Sequence, residues 1–161
     1  WVHAHTVNQS TTNGEDIMTA IDETDQRILT MLEADGRATL AQLAQATGLS
    51  VSAAQSRVQK LEKRGIIKGY KAIIDQEQRG LPISAFVNVT PLDYSAESSI
   101  PDKLNNIDGI VSCYSVAGAP SFVLVVRVAS PTALEELLNL IHRTVPVSTE
   151  TTMILQTYFA H

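Results

Sequence analysis

The chain has 161 residues, of which 44% are hydrophobic and 18% are charged, and its formal net charge is -5. These values are typical of a soluble globular protein with one compact domain or two small ones, and they exclude a disordered chain. No apolar run approaches the ~20 residues of a membrane-spanning helix. The single cysteine excludes an internal disulfide and agrees with a reducing cytoplasm.

Residues 1–20 differ from the rest of the chain because they are polar and lack apolar periodicity. They also lack the cationic start and apolar core of a signal peptide. We predict a disordered extension, with Met18 as a natural start just before the patterned region. His3 and His5 are able to chelate a metal, but a polar tail rarely holds a fixed geometry. We therefore predict no metal site and no cofactor.

Residues 21–65 predict three short helices with polar caps. Asp22, Thr39 and Ser50 are the expected N-caps, because each is followed by apolar residues at helical spacing. Gly48 suits the left-handed backbone that ends the second helix. The apolar positions expected in the core are Ile28, Leu29, Leu32, Leu40, Leu43, Ala44, Val51, Ala54, Val58 and Leu61.

The third helix carries a local excess of positive charge. From Ser50 to Lys71 the chain has six basic residues and one acidic residue, although the whole chain is acidic. Two helices joined by a glycine turn, the second polar and basic outside, indicate a helix-turn-helix that binds DNA. For Lys63 and Arg64 alone, compensation of the helix dipole explains the charge equally well. The predicted DNA-binding residues are Ser50, Ser52, Ala53, Gln55, Ser56, Arg57, Gln59 and Lys60.

The segment "IIKGYKAIID", residues 66–75, is rich in β-branched residues and is followed by the polar connector "QEQRGLP" rather than by a hairpin partner. A strand without a partner in its own domain is open to pairing with another chain. We therefore predict that residues 66–81 form a dimerising strand and a linker between two domains.

Residues 82–161 predict strands and helices in the order β-α-β-β-α-β, which is a ferredoxin-like sandwich. Ser130 is the expected cap of the last helix, and Pro131 occupies its first position. In "SFVLVVRV" both alternating sets of side chains are apolar. Two helices cover only one face of such a sheet, so we expect another subunit to cover the second face.

These features together resemble the Lrp/AsnC family of bacterial and archaeal feast/famine regulators, and in particular an actinobacterial member. The resemblance rests on "IDETDQRILTMLEADGRATLAQLAQATGLSVSAAQSRVQKLEKRGIIKGYKAIID", "SAFVNV", "SCYSVAG" and "LVVRVAS". It implies an α+β protein with a winged helix-turn-helix domain and a C-terminal RAM domain. It further implies cytoplasmic regulators that bind double-stranded operator DNA as dimers, often joined into octamers, and that respond to amino-acid effectors bound in the RAM domain.

The expected effector site departs from the family pattern. In the family the turn between the second and third RAM strands commonly reads Gly-Asp-x-Asp, whereas residues 118–121 read "GAPS" here. We expect weak amino-acid binding governed by apolar packing, with Glu150 as a candidate replacement for the lost acids; the alternative is a simple hairpin turn and an exposed strand face. The predicted effector-binding residues are Tyr114, Gly118, Ala119, Pro120, Ser121, Thr149, Glu150 and Thr151.

The only thiol–imidazole pair available for nucleophilic catalysis is Cys113 and His142. We expect Cys113 to be a buried, inert thiol in an apolar strand. No phosphate-cradling loop, zinc-ligand spacing or nucleophile elbow is present, and we predict that the chain is not an enzyme. The alternative function is an amino-acid-binding or assembly module whose N-terminal domain docks protein rather than DNA.

Overall fold

The computed structural model of the chain describes residues 20–159. The prediction of a disordered extension, together with its two histidines, therefore falls almost entirely outside the described residues. The described part divides after Ala72 into two compact units, and each unit has its own hydrophobic core.

The first unit contains three helices: α1 (Glu23–Ala34), α2 (Leu40–Thr47) and α3 (Val51–Lys63). Each begins at its predicted cap, because the side chains of Asp22, Thr39 and Ser50 accept a hydrogen bond from the backbone N–H three residues further on. Gly48 ends α2 in the left-handed conformation, with φ of 70°. Gly48 therefore marks the end of α2, and the Ser50 cap marks the start of α3.

The core of the first unit matches the predicted apolar stripes except at one residue. Its fully buried members are Ile28, Leu43, Ala44, Ala54, Val58 and Leu61. The prediction that Val51 is buried was wrong, because its side chain is 50% exposed. Val51 is the first residue of α3, and Leu49 in the preceding turn packs against the core instead.

Residues 66–75 form no strand with any other described residue, and residues 76–80 form a turn. Ile66 and Ile67 pack against the helical core. The Tyr70 hydroxyl donates a hydrogen bond of 2.9 Å to Glu62, and the pKa of Tyr70 is raised by desolvation and by that carboxylate. Ile73 is 97% exposed. The N–H groups of Ile66 and Ile67 donate to the Leu61 carbonyl, whereas residues 68–73 make no backbone hydrogen bond with another described residue.

The second unit is a four-stranded antiparallel sheet with helices on one face. Its elements are β1 (Ile83–Pro91), a 3-10 helix (Tyr94–Ser99), α4 (Ile100–Leu104), β2 (Ile110–Ser115), β3 (Phe122–Val128), α5 (Pro131–Thr144) and β4 (Val147–Ile154). The strand order is β2-β3-β1-β4. This confirms the predicted ferredoxin-like order. Ser130 caps α5 by accepting from the Ala133 N–H at 3.1 Å.

The two faces of the sheet have different surroundings. On one face Leu124 and Val126 of β3 are buried under Leu137 and Ile141 of α5. Strand pairing assigns the following side chains to the other face, which we call the open face: Ser84, Phe86, Asn88, Thr90, Ser112, Tyr114, Val123, Val125, Arg127, Ser148, Glu150, Thr152 and Ile154. Phe86 lies at its centre with 45% of its surface exposed. The open face therefore has an apolar centre that the described chain does not cover.

The prediction that Cys113 is buried was wrong. Its side chain is exposed, because β2 is an edge strand and has a neighbouring strand on one side only. Partial desolvation raises the pKa of the thiol above its ordinary value, so it stays protonated at neutral pH. His142 contacts Thr149 of β4, which is the opposite edge strand. The thiol and the imidazole therefore do not form a pair.

Candidate nucleic-acid interface and ligand cavity

The surface of α3 divides into a buried stripe and a polar face. Ala54, Val58 and Leu61 are buried and hold the helix against α1 and α2. The predicted DNA-contact residues that are exposed are Ser50, Ser52, Gln55, Ser56, Gln59 and Lys60. Ser52 and Gln55 lie in the first turns of the helix, where short polar side chains and amides are able to reach base edges.

Two of the predicted contact residues also act within the first turn of α3. The hydroxyl of Ser50 accepts from the Ala53 N–H at 3.2 Å and lies 3.2 Å from the hydroxyl of Ser52. Ala53 itself is half-buried. Ser50 therefore serves mainly as the N-cap of α3. The Ser52 side chain lies next to it at the N-terminal end of the helix.

The structure changes the interpretation of Arg57. Its Nη1 lies 2.6 Å from Oδ2 of Asp22 and 2.8 Å from Oδ1 of Asp25. Hydrogen bonding to Arg57 lowers the pKa of Asp22, and hydrogen bonding to Asp22 and Asp25 raises the pKa of Arg57. Arg57 thus has two anionic partners inside the helical unit, whereas Lys60, one turn further on, is an exposed cation of the same helix.

A cavity of about 180 Å³ opens beside the β2–β3 turn in the second unit. Its lining residues are Asn88, Thr90, Ala119, Pro120, Ser148, Thr149 and Glu150. The turn is anchored to the sheet because the Ser121 N–H donates to the Val89 carbonyl at 3.0 Å. A Cβ built on Gly118 would meet no heavy atom within 4 Å, so the backbone there is accessible.

The structure brings together four of the predicted effector residues: Ala119, Pro120, Thr149 and Glu150. The other four do not line the cavity. Thr151 pairs with the buried Val87 and lies toward the helix-covered face, and Tyr114 lies on the open face with 54% of its surface exposed. The lining is mostly polar, and the expectation that apolar packing governs binding at this turn stays a prediction.

Three cavity residues were missed from the sequence: Asn88, Thr90 and Ser148. Asn88 pairs with Glu150, and Thr90 pairs with Ser148, across the β1–β4 ladder. Polar side chains at alternate positions of "FVNVTP" were the available signal, although the same alternation is typical of any strand with one solvent-exposed face. Their partners on β4 are distant in sequence, so the pairing itself was not visible.

Comparison with known proteins identifies this architecture. Residues 21–68 match the model of winged helix-turn-helix DNA-binding domains, and residues 84–161 match that of the Lrp/AsnC ligand binding domain. The HTH-type transcriptional regulator LrpA of Mycobacterium tuberculosis is 52% identical over 141 residues, which are 88% of this chain and 94% of LrpA. This chain belongs to the Lrp/AsnC family.

Solved structures of Lrp/AsnC proteins agree with the fold. The feast or famine regulatory protein of M. tuberculosis, solved in complex with L-methionine, is 52% identical with a TM-score of 0.85. The match covers 88% of this chain and 96% of that protein. Escherichia coli AsnC is 29% identical with a TM-score of 0.82 over 88% of this chain and 97% of AsnC. The predicted resemblance to the family and to an actinobacterial member is confirmed.

Membership of the Lrp/AsnC family establishes the class of activity. The protein is a DNA-binding transcriptional regulator whose second unit is the ligand-binding domain of the family. The prediction that the chain is not an enzyme is confirmed by the same membership. Among residues 20–159, no helix is both long enough and apolar enough to cross a membrane.

Proposed function

We propose that this regulator binds operator DNA as a homo-oligomer through the exposed face of α3, and that an amino acid bound beside the β2–β3 turn modulates it. The observation that carries the proposal is the division of α3 into a buried apolar stripe and an exposed polar face ending in cations. Ser52 and Gln55 read base edges, and Lys60 neutralises a phosphate. Because its proposed target is operator DNA, we expect the regulator to act in the cytoplasm.

Oligomerisation is the second part of the proposal, and the open face supports it. Phe86, Val123 and Val125 form its apolar centre, and no described element covers them. Water-exposed apolar surface of this kind is typical of subunit interfaces. Residues 68–73 support the same conclusion, because their backbone groups have no hydrogen-bond partner among the described residues and are available to a second copy. A dimer places two copies of α3 on one operator, and dimers join into octamers.

The effector is the third part of the proposal, and the composition of the cavity supports an amino acid. Its lining combines the Glu150 carboxylate with the amide of Asn88 and the hydroxyls of Thr90 and Ser148. A carboxylate attracts the ammonium of an amino acid, and amide and hydroxyl donors serve its carboxylate group. The relative solved with L-methionine makes methionine the first ligand to test.

Salt dependence of binding tests the DNA proposal against docking of another protein. Contacts to phosphates release counterions, so the logarithm of the affinity falls linearly with the logarithm of the salt concentration. We expect a steep fall for the full chain on a duplex enriched from a random library. The replacement Lys60→Gln is expected to flatten the slope by about one per protomer. An affinity independent of salt would support a protein partner instead.

A further inference from the structure

A three-residue ionic cluster joins α1 to α3 on one side of the helical unit. One nitrogen of Arg57, Nη1, bridges the carboxylates of Asp22 and Asp25 at 2.6 and 2.8 Å. The side chain of Asp25 is 13% exposed and that of Arg57 is 32% exposed. Asp22 is at the same time the N-cap of α1 and accepts from the Asp25 N–H at 2.7 Å. The cluster therefore begins at the cap of one helix and ends in the middle of another.

The charges of this cluster do not suit a contact with phosphate. One guanidinium faces two carboxylates, so the formal charge of the group is negative. A phosphate approaching Arg57 would also approach both carboxylates, and like charges repel at such distances. The lowered pKa of Asp22 keeps its carboxylate ionised at neutral pH. Arg57 is consequently engaged by two carboxylates within the helical unit.

Two kinds of contact orient α3: the packing of its buried stripe against the core and the ionic contacts of Arg57 with Asp22 and Asp25. The buried side chains of α3, Ala54, Val58 and Leu61, make apolar contacts, which are not directional. Charge-assisted hydrogen bonds from a guanidinium are directional. Arg57 makes such bonds to Asp22, the N-cap of α1, and to Asp25 in its first turn. It lies beside Ser56 and two residues after Gln55, so any roll of the helix that moves Arg57 also moves those exposed side chains.

We propose that Arg57 is a positioning residue, which anchors α3 to Asp22 and Asp25 and thereby sets the direction in which Ser52 and Gln55 meet the bases. This inference rests on the proposed use of α3 against DNA. It departs from the expectation that Arg57 itself contacts a phosphate. Its consequence is that two acidic residues of α1 contribute to sequence preference without touching DNA.

The test measures the affinity of the full chain for two duplexes at several salt concentrations. One duplex is enriched from a random library by the wild-type protein, and the other is a shuffled sequence of the same length. The informative variant is Asp25→Asn, because it removes a negative charge and keeps the side-chain shape. We expect it to weaken binding of the enriched duplex roughly tenfold, the loss typical of one misplaced base contact. Binding of the shuffled duplex should not weaken, and the salt slope should not change.

Other variants of the cluster should follow the same pattern. Arg57→Gln and Arg57→Lys should both reduce the preference for the enriched duplex, because an ammonium does not reproduce the planar geometry of a guanidinium. Asp22→Asn should do the same while keeping the helix cap, since asparagine caps as well as aspartate. The matched control is Arg27→Gln on α1, which breaks an exposed ion pair with Glu23 at 2.7 Å and should leave the preference unchanged.

Three outcomes would overturn the inference. Tighter binding of both duplexes by Asp25→Asn, with a salt slope flattened by about one per protomer in Arg57→Gln, would make Arg57 a phosphate contact. Full affinity of Arg57→Lys would also make Arg57 a phosphate contact, because lysine keeps the charge but not the planar geometry. If the cluster variants have a lower melting temperature but an unchanged ratio of affinities for the two duplexes, the cluster has only a structural role. If Lys60→Gln also leaves affinity and slope unchanged, the proposed use of α3 fails, and that failure is distinct from failure of the positioning role.

Discussion

The two units of this regulator assemble their functional surfaces in different ways. In the helical unit the proposed DNA-contact residues come from one continuous helix, α3, and its neighbours only hold that helix in place. In the sheet unit the cavity is formed by residues of β1, β4 and the β2–β3 turn, and the described residues leave the open face uncovered. The first surface is complete within one chain, whereas the second depends on the pairing of distant segments. The following predictions test that difference, beginning with the largest expected effect.

Disrupting the open face should weaken DNA binding, although it changes no residue of α3. We predict that Phe86→Asp yields monomers and weakens operator binding by about 100-fold or more, because two linked half-sites bind far more tightly than one. Analytical ultracentrifugation and a binding titration measure the two effects. Leu140→Asp on α5 is the matched control, since Leu140 is 40% exposed but lies on the helix layer. A Phe86→Asp protein that keeps its oligomeric state and its affinity would contradict the account of the open face.

Changes on the polar face of α3 should alter sequence preference and leave assembly intact. Gln55→Ala is expected to cost ~1–3 kcal/mol of binding free energy per protomer on the enriched duplex, because an amide reads an adenine edge through two hydrogen bonds. The shuffled duplex should bind as before. Gln26→Ala, an exposed glutamine of α1, serves as the control and should change neither. An equal loss on both duplexes would show that Gln55 does not read bases.

Changes in the cavity should alter effector binding and leave the intrinsic DNA affinity unchanged. We predict that Glu150→Gln weakens binding of L-methionine and L-leucine. Ser121 does not line the cavity but follows Pro120 in the adjoining turn, and Ser121→Asp is expected to strengthen binding by ~1.5–3 kcal/mol through a charge-assisted hydrogen bond to the ammonium. Isothermal titration calorimetry on the full chain measures both. Tight binding by the wild type that Ser121→Asp abolishes would mean that the site is real but that its ammonium partner lies elsewhere.

The ionic cluster should give a small dependence of stability on pH. Because Arg57 lowers the pKa of Asp22 in the folded protein, this pair stabilises the fold above the unfolded pKa of 3.8, and the contribution is lost as the pH falls through the lower folded value. The melting temperatures of the wild type and of Arg57→Gln should therefore differ at neutral pH and converge once the pH has fallen below the lowered folded pKa of Asp22. Thermal unfolding followed by circular dichroism measures this. A difference that stays constant over that range would contradict the pairing.

The contrast between the units also explains which features could be predicted from the sequence. Helix caps depend on residues three positions apart, so Asp22, Thr39 and Ser50 could be assigned before the structure was known. The strand order followed from the alternation of elements. Val51 could not be predicted as exposed, because helical spacing places it near the buried stripe, and only packing shows that Leu49 takes the core position instead.

The remaining features required contacts between distant segments. The partners of Arg57 lie 32 and 35 residues away on α1, and nothing in the basic window indicates them. Asn88 and Ser148 become cavity residues only when β1 pairs with β4. Cys113 follows the apolar pattern of a buried strand, and its exposure results from the edge position of β2 in the sheet. Periodicity predicts which face a residue takes, but it does not reveal what covers that face.

The measurement that tests the central claim most directly is the salt dependence of operator binding by the full chain and by Lys60→Gln. If the exposed face of α3 meets phosphates, the logarithm of the affinity falls linearly with the logarithm of the salt concentration, and Lys60→Gln flattens the slope by about one per protomer. If the wild-type affinity does not change with salt, or if Lys60→Gln keeps the wild-type slope, the assignment of this face of α3 to DNA is wrong.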